Sequence, residues 1–547
     1  MPRKPLQPLK KRRRYDLGLV IGAIIALAIA TGVGLYVFWQ TRTAPQQDWA
    51  TLAEVIPATV QVVVSYNTDM TAWQKLGQFG TPPAQQIVAQ GIAQSPLSLL
   101  LKQGKLDFSQ DVQPWIGDQV ITALLPDATL ILATTRNPQA SQTFLEKYRT
   151  ALSQQGAIFT EKSENGLLYH ISPTATANVN VVTAQIDNKF VAIATNESAL
   201  QAVWNTYQKT QPALAQAEVF QSSLRSATAI SEPLLQAYLA GNALGLAGPQ
   251  LAVVQQKITG ITMRAGIQRE GLRWEIDTHL QDPRENIQTT SNQILQALPD
   301  STFLFISGQN LAQWWQSLTS QAKGNSSAEA FVKELQQNLQ DLTGWDIDRD
   351  LLPWLTGEFA IALVSSNQGI LSNTGFGLAI LLQTSDANAT KIALEKLDNT
   401  VKSARGGLFP TGLEIKPTAT GVNWQVGNTV IASRAVTAQG YALWTTGELD
   451  QLFLPSPTRP LPDSPSFQLL TTGLAGNNGG YFYVHITTAL GIMDKLLPRE
   501  VKANPTYTQV RTVLEAIEGI AVTSSVLDVD TARLELLLTL KPIPARQ

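Results

Sequence analysis

The stretch LAEVIPATVQVVV, residues 52–64, returns as ILQALPDSTFLFI, residues 294–306. Ile56-Pro57 aligns with Leu298-Pro299. The β-branched and aromatic runs that follow, Val60–Val64 and Thr302–Ile306, read as buried strands bounded by turn residues. The echo continues at a nearly constant separation. Trp73-Gln74 matches Trp315-Gln316, Pro114-Trp115 matches Pro353-Trp354, and Leu145-Glu146-Lys147 matches Leu394-Glu395-Lys396. Phe220-Gln221 matches Phe467-Gln468, and Gly260-Ile261 matches Gly519-Ile520. Small drifts between matches fit loop insertions. The body is therefore expected to be two related copies in tandem, residues 50–281 and 292–547, with a polar linker at 282–291.

Within each copy the pattern is α+β. Val120–Leu125 with Thr129–Thr134, and Phe359–Val364 with Gly377–Gln383, read as strands. Ser141–Gln155 and Ala389–Ala404 carry apolar residues at helical spacing, as Phe144, Tyr148 and Leu152 illustrate. Pro82–Lys102 and Ala328–Leu342 read as longer amphipathic helices. Each copy closes with a hairpin, Ile261–Ala265 with Leu272–Leu280 and Ala521–Thr523 with Ala532–Leu540. There Arg273-Trp274-Glu275 aligns with Arg533-Leu534-Glu535. The expected fold is two tandem homologous domains, each a mainly antiparallel or mixed sheet packed with helices. Each hairpin is expected to join its own sheet, with a swapped hairpin joining the copies as the alternative.

Composition bounds the function. A chain of 547 residues exceeds one ordinary core. Charged residues make up 15%, below the usual quarter. Residues 1–16 hold seven Lys or Arg and one Asp, so the rest of a chain of net charge −2 is mildly acidic. That argues against a nucleic-acid partner. The absence of cysteine excludes disulfides, thiolate nucleophiles, cysteine-ligated zinc and iron–sulfur sites.

Residues 17–39, LGLVIGAIIALAIATGVGLYVFW, carry no charge. As a helix they would reach about 34 Å, enough to cross a hydrocarbon core of ~30 Å. The Lys10–Arg14 cluster places residues 1–16 in the cytoplasm by the positive-inside rule, and Tyr36 and Trp39 suit the far interface. An uncleaved N-terminal transmembrane helix is expected, then a short spacer at 40–49. A signal peptide cleaved near Ala28-Ile29-Ala30 is the alternative, but the apolar run continues through Phe38. The lipid bilayer is thus the expected partner of residues 17–39.

The sharpest chemical motif is Asp346, Asp348 and Asp350, in the segment GWDIDRDLLPWLTGE, residues 344–358. Alternating carboxylates can converge on a hard cation, and these three would fill the first ligand positions of a calcium loop. The later positions fail, since Leu351 stands where the loop needs glycine and Gly357 where it needs glutamate. The other reading is a helix start, with Asp346 or Asp348 as N-cap. His170, His279 and His485 stand apart in sequence and read as strand histidines satisfied by neighbours. Gly473–Gly480 lacks the lysine of a phosphate loop and reads as a turn before a strand. Trp315 reads as core. Calcium is the one cofactor the sequence suggests, and no catalytic residue stands out.

Several of these features resemble a cyanobacterial membrane-anchored family of unknown function, domain of unknown function 3352, over nearly the whole chain. They are Lys10–Arg14 with Leu17–Trp39, the Ile56-Pro57 and Leu298-Pro299 pairs, and the Asp-rich approaches to Pro114-Trp115 and Pro353-Trp354-Leu355-Thr356-Gly357-Glu358. The resemblance implies an envelope or thylakoid location. It brings no activity, cofactor or catalytic residue. The resulting expectation is a single-pass extracytoplasmic binding or assembly module with an unknown envelope or thylakoid protein partner. The alternatives are a hydrolase of envelope glycans or lipids using paired carboxylates, and a calcium-stabilised module.

Overall fold

The computed structural model describes residues 49–92, 96–173, 180–247, 258–281, 289–322, parts of 329–340, 346–352, 357–383, 387–403 and 412–543. The expected tail at 1–16, the transmembrane segment at 17–39 and nearly all of the spacer lie outside these residues. Among those described, no helix is long and apolar enough to cross a membrane.

Among the described residues, twenty strands form one sheet. In the N-terminal half they are β1 (Val62–Asn67), β2 (Ile116–Leu125), β3 (Ala128–Thr135), β4 (Thr160–Glu164), β5 (Leu167–Pro173), β6 (Asn180–Ile186), β7 (Phe190–Ala194), β8 (Leu235–Ala240), β9 (Ile258–Gln268) and β10 (Gly271–Leu280). In the C-terminal half they are β11 (Thr302–Gln309), β12 (Glu358–Ser365), β13 (Phe376–Gln383), β14 (Leu413–Pro417), β15 (Gly421–Val426), β16 (Thr429–Val436), β17 (Tyr441–Thr446), β18 (Tyr481–His485), β19 (Ile517–Asp528) and β20 (Thr531–Leu540). The pairings of the first half give the order β4-β5-β6-β7-β3-β2-β1-β8-β9-β10. Those of the second give β14-β15-β16-β17-β13-β12-β11-β18-β19-β20, the same order of corresponding strands. All are antiparallel.

The sequence reading expected a separate sheet in each copy, each hairpin closing its own. The hairpins do close their own halves, but β10 also pairs with β20, from Gly271↔Thr539 to His279↔Thr531. An open antiparallel sheet has unpaired N–H and C=O groups along its last strand. Joining β10 to β20 satisfies two such edges at once, and the continuous sheet follows.

The repeated Ile-Pro and Leu-Pro elements do equivalent work. Ile56 and Leu298 are fully buried. The Ile56 carbonyl accepts from Leu214 N at 2.8 Å, and the Leu298 carbonyl accepts from Leu461 N at 2.8 Å. Pro57 and Pro299 each form an isolated bridge, to Ala213 and Pro460 respectively. Each half buries its own cluster on one face, around Val63, Leu130 and Phe220 in the first and around Phe305, Leu381 and Tyr483 in the second. On the opposite face, Trp274 and Leu272 pack with Val484, Leu490, Leu536 and Leu538, so this cluster spans both halves.

Local corrections have local causes. The expected helix over 82–102 is two helices, Pro82–Ile92 and Pro96–Gln103. Pro96 supplies no N–H and biases the residue before it away from helical geometry. The helical insertion at Ile486–Leu496 and Pro505–Glu515, between β18 and β19, was not anticipated.

Candidate functional site

The most unusual chemistry lies where the halves meet. On one face of the β10–β20 pair stand Arg273, Glu275, Asp277 and His279 from β10, and Arg533 and Glu535 from β20, none more than 6% exposed. Strand periodicity of two puts the alternating residues 273, 275, 277 and 279 on the same side. Glu275 sits opposite Glu535 in the register. The ion pairs then cross reciprocally. Arg273 Nη2 bonds Glu535, and Arg533 Nη1 lies 3.5 Å from Glu275. Arg533 also grips Asp277 with two bonds, Nε to Oδ1 at 2.6 Å and Nη2 to Oδ2 at 2.8 Å.

Two loops cover this seam in corresponding ways. In the first half, Ala229 N donates to Glu275 at 2.9 Å, the Thr228 hydroxyl donates to its other oxygen at 2.6 Å, and the Ala227 carbonyl accepts from Arg533 at 2.5 Å. In the second half, Ala475 N donates to Glu535 at 2.9 Å and the Gly473 carbonyl accepts from Arg273 at 2.8 Å. Gly473 has φ +73°, the left-handed region that favours glycine. The glycine-rich stretch after it is a turn before β18, as the sequence suggests, and it is also half of the cover over the seam.

Each carboxylate here holds cations or donors, which is the condition for keeping a charge in an interior. Burial opposes the charge on Arg533, but the hydrogen bonds and charge of Asp277, with Glu275 and Glu535, outweigh it and hold the guanidinium above its ordinary value. The facing carboxylates of Glu275 and Glu535 are thus each held by the arginine of the opposite strand, Arg533 and Arg273 respectively. General acid–base work instead needs two carboxyl groups with different environments and room for substrate between them.

His279 is different. Thr531 Oγ1 lies 3.2 Å from Nδ1, while Nε2 has no partner among the described residues. Burial pulls its pKa below the ordinary value, against the opposing charges of Asp277 and Asp530. The sign follows directly. A depressed folded value means the neutral ring favours the fold, so its contribution is present above an unfolded value of about 6.5 and is lost as the pH falls through the folded value. Urea midpoints measured from pH 7.5 to 5 should drop for the native chain, and the drop should be smaller in His279→Gln. Equal slopes would remove His279 as the cause.

Within the aspartate motif, Asp346 acts as a cap. Asp346 accepts from Arg349 N at 2.9 Å and caps the π-helical turn Ile347–Leu351. In the first half, Asp107 caps Phe108–Val112 through Gln110 N at 3.0 Å. Asp348 accepts from the indole of Trp315 at 3.1 Å and from Gln336 at 3.2 Å. The side chain of Asp350 lies outside the described residues. Among those described, no group of three His, Asp or Glu residues could hold a metal ion. Loss of an N-cap costs about 1 kcal/mol. Asp346→Ala should therefore lower stability by about that amount, equally in calcium and in chelator. A melting shift on adding calcium to the native chain, absent in Asp346→Ala, would instead support the ligand reading.

The remaining sequence candidates are placed as follows. Trp315 is buried, while Trp354 and the side chain of Trp314 lie outside the described residues. His170 lies 3.4 Å from Glu161, and His485 is held between Thr488 at 2.6 Å and Glu518 at 2.9 Å. Glu358, last in the aspartate-rich segment, is buried and accepts from Ile294 N at 2.7 Å, Ser291 Oγ at 2.8 Å and Gln293 N at 3.2 Å. It caps the short turn that leads into β11. In the sequence the one trace of the seam is the repeated Arg-x-Glu of the two closing strands, Arg273-Trp274-Glu275 and Arg533-Leu534-Glu535.

Among the described residues, a twenty-stranded antiparallel sheet joined at its middle by a buried charged seam defines an α+β class of duplicated topology. The chain belongs to the family described as protein of unknown function DUF3352, whose model matches residues 19–540. Comparison with curated proteins finds no match. Among solved structures, crystal forms I and III of TP0453 are similar at TM-scores of 0.27 and 0.26, each at 10% identity. They cover 45% of this chain and 83% and 84% of their own.

Proposed function

We propose that this is a single-pass membrane-anchored protein whose extracytoplasmic body is a binding or assembly scaffold made by duplication of one unit. The observation that carries the scaffold reading is the seam. Its charged side chains are spent on one another and on covering backbone, which fixes two homologous halves in one register. Residues 17–39 supply the anchor in this reading, with residues 1–16 in the cytoplasm and the body in the periplasm or thylakoid lumen. The nine residues 40–48 would span at most about 30 Å, so the body would stay close to the bilayer.

The test is crosslinking of tagged full-length protein in native membranes, followed by mass spectrometry. One dominant partner at stoichiometric yield, lost when the body is unfolded by a seam substitution, is the expected result. Folded, membrane-bound protein that returns no partner would overturn the assembly reading. Recovery of the chain in the soluble fraction, or accessibility of the N-terminus from outside, would overturn the anchor separately.

A further inference from the structure

Trp49 is the first described residue, and it is buried against the seam. It is 2% exposed, its ring packs on Phe220 at a centroid distance of 4.7 Å, and its indole Nε1 has no partner among the described residues. An unpaired buried N–H costs roughly 1–3 kcal/mol, and such groups in native proteins are nearly always satisfied by protein or by ordered water. Trp49 lines a cavity of about 10 Å³ together with Ser223, Thr262, Arg264, Glu275 and Asp277. That volume is room for a single water, and Thr262, Glu275 and Asp277 place polar groups among the lining residues beside the apolar Met263.

The acceptors are also available. Glu275 Oε1 takes Ala229 N and Oε2 takes the Thr228 hydroxyl, while the Asp277 oxygens each take one Arg533 nitrogen. An ionised carboxylate offers about four lone-pair positions, so each residue keeps capacity after these bonds. We propose that this cavity is a hydration site. One water accepts the Trp49 indole N–H and the Thr262 hydroxyl and donates to the carboxylates of Glu275 and Asp277. The point where the chain enters the body is thereby fastened to the seam between the halves. Trp49 is in this sense a positioning residue, and the ligand of the site is water. The proposal does not depend on the membrane anchor.

The direct test is a water-to-protein nuclear Overhauser measurement on the indole proton of Trp49 in the folded full-length protein, assigned by its loss in Trp49→Phe. A persistent cross-peak to water is expected, with the downfield indole shift of a hydrogen-bonded N–H. Thr262→Val, which removes a polar wall group at similar volume, should weaken that cross-peak while near-ultraviolet circular dichroism shows the fold retained. An indole proton with no water cross-peak and an upfield, unbonded shift would overturn the site. So would a cross-peak unaltered in Thr262→Val, since the water would then lie elsewhere.

Discussion

Arg533→Met is expected to destabilise the folded protein by about 3–5 kcal/mol, the usual cost of removing one partner from a buried ion pair. The guanidinium makes two short bonds to Asp277 and one to the Ala227 carbonyl, and lies near Glu275. Its loss leaves Asp277, 2% exposed, charged and unpaired. The companion variant is Arg533→Met with Asp277→Leu. Leu537 is the residue that corresponds to Asp277 in the second half when Arg273 is aligned with Arg533, so leucine is already tolerated at that place in the pattern. Replacing both members of a buried pair with apolar groups is often close to neutral. The double variant should therefore recover most of the loss. Urea unfolding of the native chain, both single variants and the double gives the coupling energy. A single-variant loss below about 0.5 kcal/mol, within the usual range for surface substitutions, would show that the seam does not hold the halves.

Phe305→Ala is the second large effect. Phe305 is fully buried on β11, stacked on Tyr483 at 5.2 Å and tilted against Phe467 at 6.1 Å. Truncation removes the ring and leaves a cavity that its strand and two aromatic neighbours cannot collapse into, costing about 3–5 kcal/mol. Phe305→Leu keeps most of the volume and should cost about 1.5 kcal/mol or less. Guanidinium midpoints measure both, and near-ultraviolet circular dichroism reports the ring stack. Equal losses for Ala and Leu would mean that ring stacking, with its ~0.5–1.5 kcal/mol, outweighs cavity volume at this site.

Much of the molecule was legible from local pattern. Val60–Val64 announces β1 because β-branched residues favour extended backbone and burial, and β1 is Val62–Asn67. Phe144, Tyr148 and Leu152 announce the helix Pro138–Ser153 because their spacing places them on one face. Asp346 could be read as a cap because a short carboxylate reaches the free N–H groups of the next turn. What failed was of another kind. Arg273, Glu275 and Asp277 in a closing strand look like an ordinary polar face, and only the loops after Phe220 and Phe467 make them interior. The glycine-rich run after Thr472 reads as a turn, and nothing within it says that Gly473 and Ala475 will meet side chains from β10 and β20.

The sequence by itself determined the α+β alternation and the positions at which one half echoes the other, because these rest on interactions whose period is short or whose copy is visible elsewhere in the chain; the strand order came from the pairings of the folded chain. The joining of the halves was decided by tertiary structure. Arg273 and Glu535 lie 262 residues apart and meet only because β10 and β20 are both last strands with open edges. An unpaired edge presents the same backbone donors and acceptors whatever its side chains are. Sequence pattern therefore cannot name its partner, and it is the folded halves, with their charged faces covered and their register fixed at Glu275 and Glu535, that select it.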